Sequence, residues 1–207
     1  MSHRRFALTA IAAIAGLLLA SAGHAASVAV EVLDSSGQPL ADAVVYAEPV
    51  NGHAMPKPGK TIDIEQKGRK FIPAVTVTQA GTNISFPNND TVRHHVYSFS
   101  PAKVFELKLY SGEPPNPVLF DKPGTVVIGC NIHDQMAAYI HVVPTPYFAK
   151  TDTAGKAKLD GLSPGRYRLK SWHAALPAGG PVPEQALAMT TGDTSATLTL
   201  NVKARTN

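Results

Sequence analysis

Charged residues are scarce in this chain: Asp, Glu, Lys and Arg make up 16% of its 207 residues, and the formal net charge is +4. Such a composition excludes an intrinsically disordered chain, and it gives no electrostatic reason to expect binding to nucleic acid. Hydrophobic residues account for 44% of the chain, which is enough for one or two small folded domains. We therefore expect a folded protein with no nucleic-acid partner.

Long helical patterns are absent as well. After the amino-terminal segment, no long stretch shows the 3.6-residue hydrophobic period of an amphipathic helix, and only residues 184–189 could form a helical turn. Short runs of alternating apolar and polar residues are frequent instead, and turns rich in Gly, Pro, Asn and Asp separate them. These runs predict strands at residues 27–33, 43–48, 74–78, 82–86, 94–99, 125–128, 138–143, 166–170 and 197–203. The predicted fold class is all-β, a sandwich or barrel.

One long hydrophobic run lies at the amino end of the chain. Arg4 and Arg5 precede an uncharged stretch over residues 6–22, and the small-residue sequence Gly-His-Ala-Ala follows it at residues 23–26. This order is typical of a secretory signal, so residues 1–25 are predicted to be a signal peptide that is removed on export. The alternative is an uncleaved membrane anchor, because the run is nearly long enough to span a bilayer. We expect a periplasmic protein with no stable membrane insertion after leader cleavage.

Cysteine is nearly absent, with Cys130 alone in the chain. In an oxidising compartment a single Cys is buried and inert, bonded to another chain, or held by a metal. The sequence that follows places His133 and Met136 at intervals of three, and two imidazoles, His94 and His95, stand about 35 residues upstream. Two His, one Cys and a Met form a trigonal copper site with a long axial bond. Zinc binds the same thiolate and imidazole ligands, but the Met favours copper.

Only one of the two adjacent His side chains can readily meet the Cys. Neighbouring residues on a strand point to opposite faces of the sheet, so His94 and His95 are alternatives. The spacing from Asn88 and Asp90 favours His94 as the ligand. Whether His95 takes its place is left open.

Residues 64–143 resemble the cupredoxins, or blue-copper proteins. The Cys-x-x-His-x-x-Met loop is similar to that of amicyanin, and the upstream Asn-x-Asp…His-x-Val segment is similar to amicyanin and plastocyanin. This resemblance implies a Greek-key β-sandwich or barrel that holds one type 1 copper, with His94, Cys130 and His133 as equatorial ligands and Met136 as the axial ligand. It further implies a carrier of single electrons between redox partner proteins, which is not an enzyme and passes electrons out through His133.

The whole chain is similar to exported proteins described as methylamine-utilisation-like or plastocyanin-like. Asn88 and Asn131 are candidates for supporting the metal ligands, because hydrogen bonds from their side chains could orient the ligand loops and the thiolate. Asp134 and Gln135 replace the apolar, proline-bearing surroundings that amicyanin has beside its exposed His. Docking of a partner through an apolar patch around His133 is therefore less expected than the metal site itself.

The two ends of the chain resemble the two halves of a carboxypeptidase-regulatory-like (transthyretin-like) β-sandwich. Residues 28–46 carry one half, and residues 151–169 carry the other, with about a hundred residues between them. We expect one domain inserted into a turn of another, because loops tolerate insertions. Residues 26–62 and 145–207 would then form a second small β-sandwich, and residues 63–144 the cupredoxin domain. The alternative is two tandem domains.

Two other functions agree with the same sequence. One is a periplasmic protein that binds or handles copper without electron transfer. The other is a metal-free β-sandwich scaffold in which the carboxypeptidase-regulatory-like halves do the binding. The first keeps the metal ligands, whereas the second leaves Cys130 free to react with thiol reagents whether or not copper is added.

Overall fold

The computed structural model of the protein describes residues 26–51, 57–114 and 116–203, so the predicted signal peptide, residues 1–25, lies outside the described residues. Every element in the described part is a β-strand, and the all-β prediction is confirmed. In chain order the strands are β1 (Ala26–Leu33), β2 (Val44–Pro49), β3 (Ile62–Asp63), β4 (Glu65–Gln66), β5 (Phe71–Ile72), β6 (Val75–Gln79), β7 (Thr82–Ser85), β8 (His94–Ser100), β9 (Lys103–Tyr110), β10 (Val118–Phe120), β11 (Gly124–Gly129), β12 (Ala137–Val143), β13 (Phe148–Lys150), β14 (Lys156–Leu162), β15 (Gly165–Trp172), β16 (Glu184–Met189) and β17 (Thr194–Thr199).

Strands from the two ends of the chain form two sheets, β14–β1–β17 and β13–β2–β15–β16. Every second residue of β1 is buried, with Val28, Val30 and Val32 facing inward, as the alternating sequence predicts. These side chains share a core with Leu159 on β14 and Leu169 on β15. The two sheets therefore pack face to face on a common apolar layer, which we call the outer sandwich.

Strands β3 to β12 lie between β2 and β13 in sequence and pair among themselves. They form a five-stranded sheet, β6–β12–β11–β8–β9, a three-stranded sheet, β10–β7–β3, and the β4–β5 hairpin. Their core includes Phe86, Val96, Phe120, Ile128 and Ile140. No sheet in the described residues mixes these strands with those of the outer sandwich. The resemblance of the outer sandwich to a carboxypeptidase-regulatory-like domain, and the domain bounds, stay predictions.

The two sets of strands meet at Trp172. Its ring stacks on the His141 ring of β12, with the centroids 4.7 Å apart and the planes inclined by 12°. Val44, Val75 and Val143 are buried in the same cluster. Burial lowers the pKa of His141 to about 4, so the imidazole is neutral between the two sets of strands at ordinary pH. This contact forms a third cluster, separate from the cores of the two sets of strands.

Two expectations about strands differ from the structure. The possible helical turn at residues 184–189 is wrong: they form β16, which pairs with β15 over its whole length and buries Leu187 and Met189 at a spacing of two. Long-range pairing thus decides the conformation of a segment whose local pattern is weak. The strand predictions also omit β3, β4, β5, β9, β10, β13 and β14, of which β9 is an edge strand with exposed or half-buried residues throughout.

No helix in the described part of the chain is long and apolar enough to cross a membrane.

Candidate metal centre

Strand pairing brings the predicted ligands to one end of the five-stranded sheet. His94 is the first residue of β8, and Cys130 directly follows β11, which is hydrogen-bonded to β8. His133 and Met136 lie in the loop that joins β11 to β12. The ends of neighbouring strands therefore place side chains together that lie far apart in sequence.

Three donor atoms lie at the corners of a small triangle. The Nδ1 atoms of His94 and His133 are 3.2 Å apart, and Sγ of Cys130 lies 3.6 Å from Nδ1 of His133 and 3.9 Å from Nδ1 of His94. Donors arranged in a plane around one ion, at bond lengths of about 2.0 to 2.3 Å, are separated by about 3.5 to 4 Å. The triangle therefore has the right size to hold one metal ion.

Burial is uneven across the three donors. His94 and Cys130 are buried, whereas His133 is partly exposed. A thiolate shielded from water is protected from oxidation and from exchange with other thiols. His133 is thus the side chain through which the triangle reaches the surface.

The ligand loop is closed by backbone hydrogen bonds. The Cys130 N–H donates to the carbonyl of Met136 at 3.1 Å, and the Met136 N–H donates to the carbonyl of His133 at 2.8 Å. Met136 is buried and belongs to the same core cluster as Cys130. These backbone hydrogen bonds therefore fix the spacing of Cys130, His133 and Met136 within the loop.

Asp90 holds the His94 ring from the side opposite the triangle. Its Oδ2 lies 2.6 Å from Nε2 of His94, and its two oxygens accept hydrogen bonds from the N–H groups of Gly68, at 2.6 Å, and Arg69, at 2.9 Å. Partial burial opposes ionisation, but the hydrogen bonds from Arg69, His94 and Gly68 outweigh it and hold the pKa of the carboxyl below its usual value. An ionised carboxylate at Nε2 favours the proton on that nitrogen and leaves Nδ1 free to bind a metal.

The contact of Asp90 with the His94 ring was not predicted from the sequence. Asp90 entered the sequence analysis only through its spacing to His94. A carboxylate four residues before a ligand His is a weak signal by itself. The contact with residues 68 and 69 depends on how a hairpin folds more than twenty residues upstream.

His95 faces away from the triangle. Its Nε2 lies 2.9 Å from Oε1 of Glu106 on the neighbouring strand β9, and its ring packs at 5.4 Å from the ring of Tyr97. The structure thus groups His94, and not His95, with Cys130 and His133. Alternation along β8 is the physical reason.

The two Asn residues occupy different positions. The Asn88 amide donates to the carbonyls of Val92 and Tyr110, and its Oδ1 accepts from the Asp90 N–H, so Asn88 shapes the loop that leads into β8. Asn131 is exposed and, with Cys130, lines an open cavity of about 580 Å³ beside the triangle. Asn88 can therefore orient the ligand loops as expected, by its hydrogen bonds within the loop before β8 and not by a bond to the sulfur of Cys130.

No family model matches this sequence, and no curated protein matches it. Part of the structure is similar to solved copper proteins. A copper-containing nitrite reductase from Thermus scotoductus SA-01 is 24% identical, with a TM-score of 0.39, over 46% of this chain and 25% of that one. A purple cupredoxin from Nitrosopumilus maritimus is 19% identical, with a TM-score of 0.35, over 41% of this chain and 100% of that one.

A reduced amicyanin variant is 17% identical, with a TM-score of 0.36, over 47% of this chain and 99% of that one. These similarities are partial and distant, so the donor atoms of the site itself decide what it can bind. One thiolate, two imidazoles and a nearby thioether form a set that suits copper in both of its common oxidation states. The same thiolate and imidazoles suit zinc.

Proposed function

We propose that the protein is an exported copper protein that carries single electrons between redox partner proteins. One copper would be held by His94, Cys130, His133 and Met136. The observation that carries the proposal is the grouping of His94 Nδ1 on β8 with Sγ of Cys130 and Nδ1 of His133, within 4.8 Å of one another, beside the buried Met136. A copper ion held by these ligands would supply one-electron chemistry by alternating between Cu(I) and Cu(II).

The chain's own residues favour such a role by keeping the donors in place. The hydrogen bonds of Asp90 orient His94, and the backbone bonds within the loop fix Cys130 and Met136. Soft sulfur ligands suit Cu(I), whereas imidazoles also suit Cu(II), so one arrangement serves both states. Donors that do not move between the two states keep the reorganisation that accompanies electron transfer small.

Electron transfer, rather than catalysis, is proposed because the described residues bring together one group of metal donors. Among the described residues, one set of His, Cys, Asp and Glu side chains is placed to hold a metal. Multicopper enzymes need a second metal at which the substrate reacts.

The periplasmic location and the redox partners belong to the same proposal. They rest on the predicted signal peptide, residues 1–25, and on the resemblance of the ligand loop to that of cupredoxins. The outer sandwich has no assigned part in electron transfer.

The test is a visible absorption and electron spin resonance spectrum of the purified protein after Cu(II) is added, with metal content measured on the same sample. We expect an intense visible band at one copper per chain, which disappears on reduction and returns on oxidation. The Cys130→Ser variant should lack the band, because the Cu–thiolate bond produces it. A protein that stays colourless and binds zinc, or binds no metal, would overturn the proposal.

A further inference from the structure

The β4–β5 hairpin ends in a turn with three cations in four residues, Lys67-Gly68-Arg69-Lys70, which we call the basic turn. Gly68 has a φ of 61° and Arg69 a φ of 56°, which is the backbone of a type I′ turn. Glycine adopts this left-handed conformation readily, but for Arg69 it is strained. An Arg held in such a conformation points to surroundings that fix the turn.

Asp90 is what fixes the basic turn. The N–H groups of Gly68 and Arg69 point to the same side and both donate to its carboxylate, so the turn forms a small anion-binding nest. The same carboxylate holds Nε2 of His94. Two hydrogen bonds therefore separate the backbone of Arg69 from the ring of a proposed copper ligand.

Four exposed cations adjoin, in sequence, the residues that Asp90 joins. Lys67, Arg69, Lys70 and Arg93 are exposed, and none of them takes part in an ion pair between described residues. Arg93 adjoins His94 in sequence and is exposed, whereas His94 is buried.

The acidic groups near the basic turn have other partners. Glu65, on the first strand of the hairpin, accepts a hydrogen bond from the Asn89 side chain. Asp90 is occupied by its three donors. Both hydrogen-bonded carboxylates keep their negative charge, but Lys67, Arg69, Lys70 and Arg93 outnumber Glu65 and Asp90, so the surface has an excess of positive charge.

We propose that the basic turn, together with Arg93, is the docking surface for an acidic redox partner, a protein that presents clustered carboxylates. This inference rests on the proposed electron-transfer function. Opposite charges speed the encounter of two proteins and orient them as they meet. A turn clamped to Asp90 presents its cations in a fixed position, and a partner seated there lies next to His94.

The surface around His133 differs in chemistry. Ile132 is half exposed, Asn131 and Gln135 are neutral, and Asp134 is acidic. An acidic partner would gain nothing from charge at that loop. Electrostatic steering thus favours approach from the side of the basic turn.

The kinetic test measures the oxidation of the reduced, copper-loaded protein by hexacyanoferrate(III) in a stopped-flow instrument. One electron passes to the probe, which becomes hexacyanoferrate(II), and no atom is transferred. The variant Lys67→Glu/Lys70→Glu should react about tenfold more slowly than the parent at low ionic strength. The difference should nearly vanish in 1 M salt, where the Debye length is about 3 Å.

The matched control is Lys156→Glu/Lys203→Glu, which changes the net charge of the protein by the same amount. Both lysines are exposed, one on β14 and one after β17, in the outer sandwich. We expect the rate of this control to stay close to that of the parent. Equal slowing in both double variants would mean that net charge alone matters, and would overturn the proposed surface.

A second readout needs no copper. Titration of the isotopically labelled, metal-free protein with hexacyanocobaltate(III), which is redox-inert, should shift the backbone amide signals of residues 67–70 and Arg93. The shifts should be absent in Lys67→Glu/Lys70→Glu and present in the control. Shifts confined to the loop of residues 130–136 would overturn the proposal, because they would place anion docking at the other surface.

The outcomes separate this inference from the function on which it rests. A protein that binds no copper fails in the absorption experiment, and both proposals then fall. A coloured, redox-active protein whose rate does not depend on the basic turn overturns the docking surface alone. Binding of a labelled oligonucleotide that is lost in Lys67→Glu/Lys70→Glu, with hexacyanoferrate rates unchanged, would assign the surface to nucleic acid instead.

Discussion

The Asp90 carboxylate lies 2.6 Å from Nε2 of His94, while Nδ1 of the same ring faces Sγ of Cys130 at 3.9 Å. The imidazole is therefore held from one side and presented to the candidate metal site from the other. Carboxylates in this position fix the orientation of a ligand ring. Asp90 is a positioning residue that acts on the site through His94.

Replacing Asp90 with Asn should weaken copper binding by about 10- to 100-fold, the usual effect of removing such a partner. The visible band should remain, because the four ligands are unchanged. Competition with a chelator of known affinity measures the loss.

Asp152→Asn is the matched control for Asp90→Asn, because Asp152 caps a turn in the outer sandwich by accepting from the N–H groups of Ala154 and Lys156. This variant also loses hydrogen bonds at a turn, but none of them leads to a metal ligand. Equal loss of copper in both variants would show that the effect of Asp90 is one of general stability.

The two neighbouring His residues should behave differently when each is replaced by Gln. His94→Gln removes a donor of the triangle and should abolish the intense visible band. His95→Gln removes a hydrogen bond to a largely exposed Glu106 and should leave the band in place, at a stability cost of about 1 kcal/mol or less. Absorption spectra of the two variants at equal copper content make the comparison. If the band is lost in His95→Gln and kept in His94→Gln, then His95 and not His94 is the copper ligand.

Burial of His141 should make the protein less stable as the pH falls. Burial lowers the pKa of His141 to about 4 in the folded state, whereas a His in the unfolded chain has its ordinary pKa of about 6.5. Protonation thus favours unfolding. Keeping His141 neutral contributes about 3 kcal/mol to the free energy of unfolding. This contribution is complete above pH 6.5 and is lost as the pH falls from 6.5 to 4.

Urea unfolding of the metal-free protein at pH 7.5, 6 and 4.5 measures this loss. In His141→Phe the dependence on pH should be shallower. It should not disappear, because burial also lowers the pKa of His173. Parallel curves for the parent and the variant would show that His141 does not carry the effect.

Truncation of Trp172 should destabilise the protein without changing its colour. Trp172→Ala removes the stack on His141 and leaves a cavity between the two sets of strands, at a cost of about 3 to 5 kcal/mol. Trp172→Phe keeps an aromatic ring and should cost less. Thermal unfolding followed by circular dichroism measures the stability of both variants. Trp fluorescence cannot be used, because Trp172 is the only Trp of the chain. A bleached but stable Trp172→Ala protein would contradict the expectation.

Some features of the site could be predicted from the sequence because they depend on local spacing. Cys130, His133 and Met136 lie within seven residues, so one loop brings them together whatever surrounds it. The choice of His94 over His95 follows from strand alternation, and the structure places the two side chains as alternation requires.

The contacts around Asp90 could not be predicted in the same way. They depend on a hairpin that closes more than twenty residues upstream and on a strained conformation at Arg69. The fold shows the same division. Most buried strands with a period of two were predicted, whereas β9 and β16, which were not, are edge strands that each pair only with the preceding strand.

The placement of β1 in its sheet has a consequence for the order in which the chain can fold. β1 comes first, yet both of its neighbours come late, β14 in antiparallel pairing and β17 in parallel pairing. Strands β3 to β12 pair only among themselves. During synthesis from the amino end, they can therefore bring the candidate metal ligands together before β14 and β17, the partners of β1, have been made. A chain shortened before β17 would leave one edge of β1 open, and an open strand edge invites pairing with other chains.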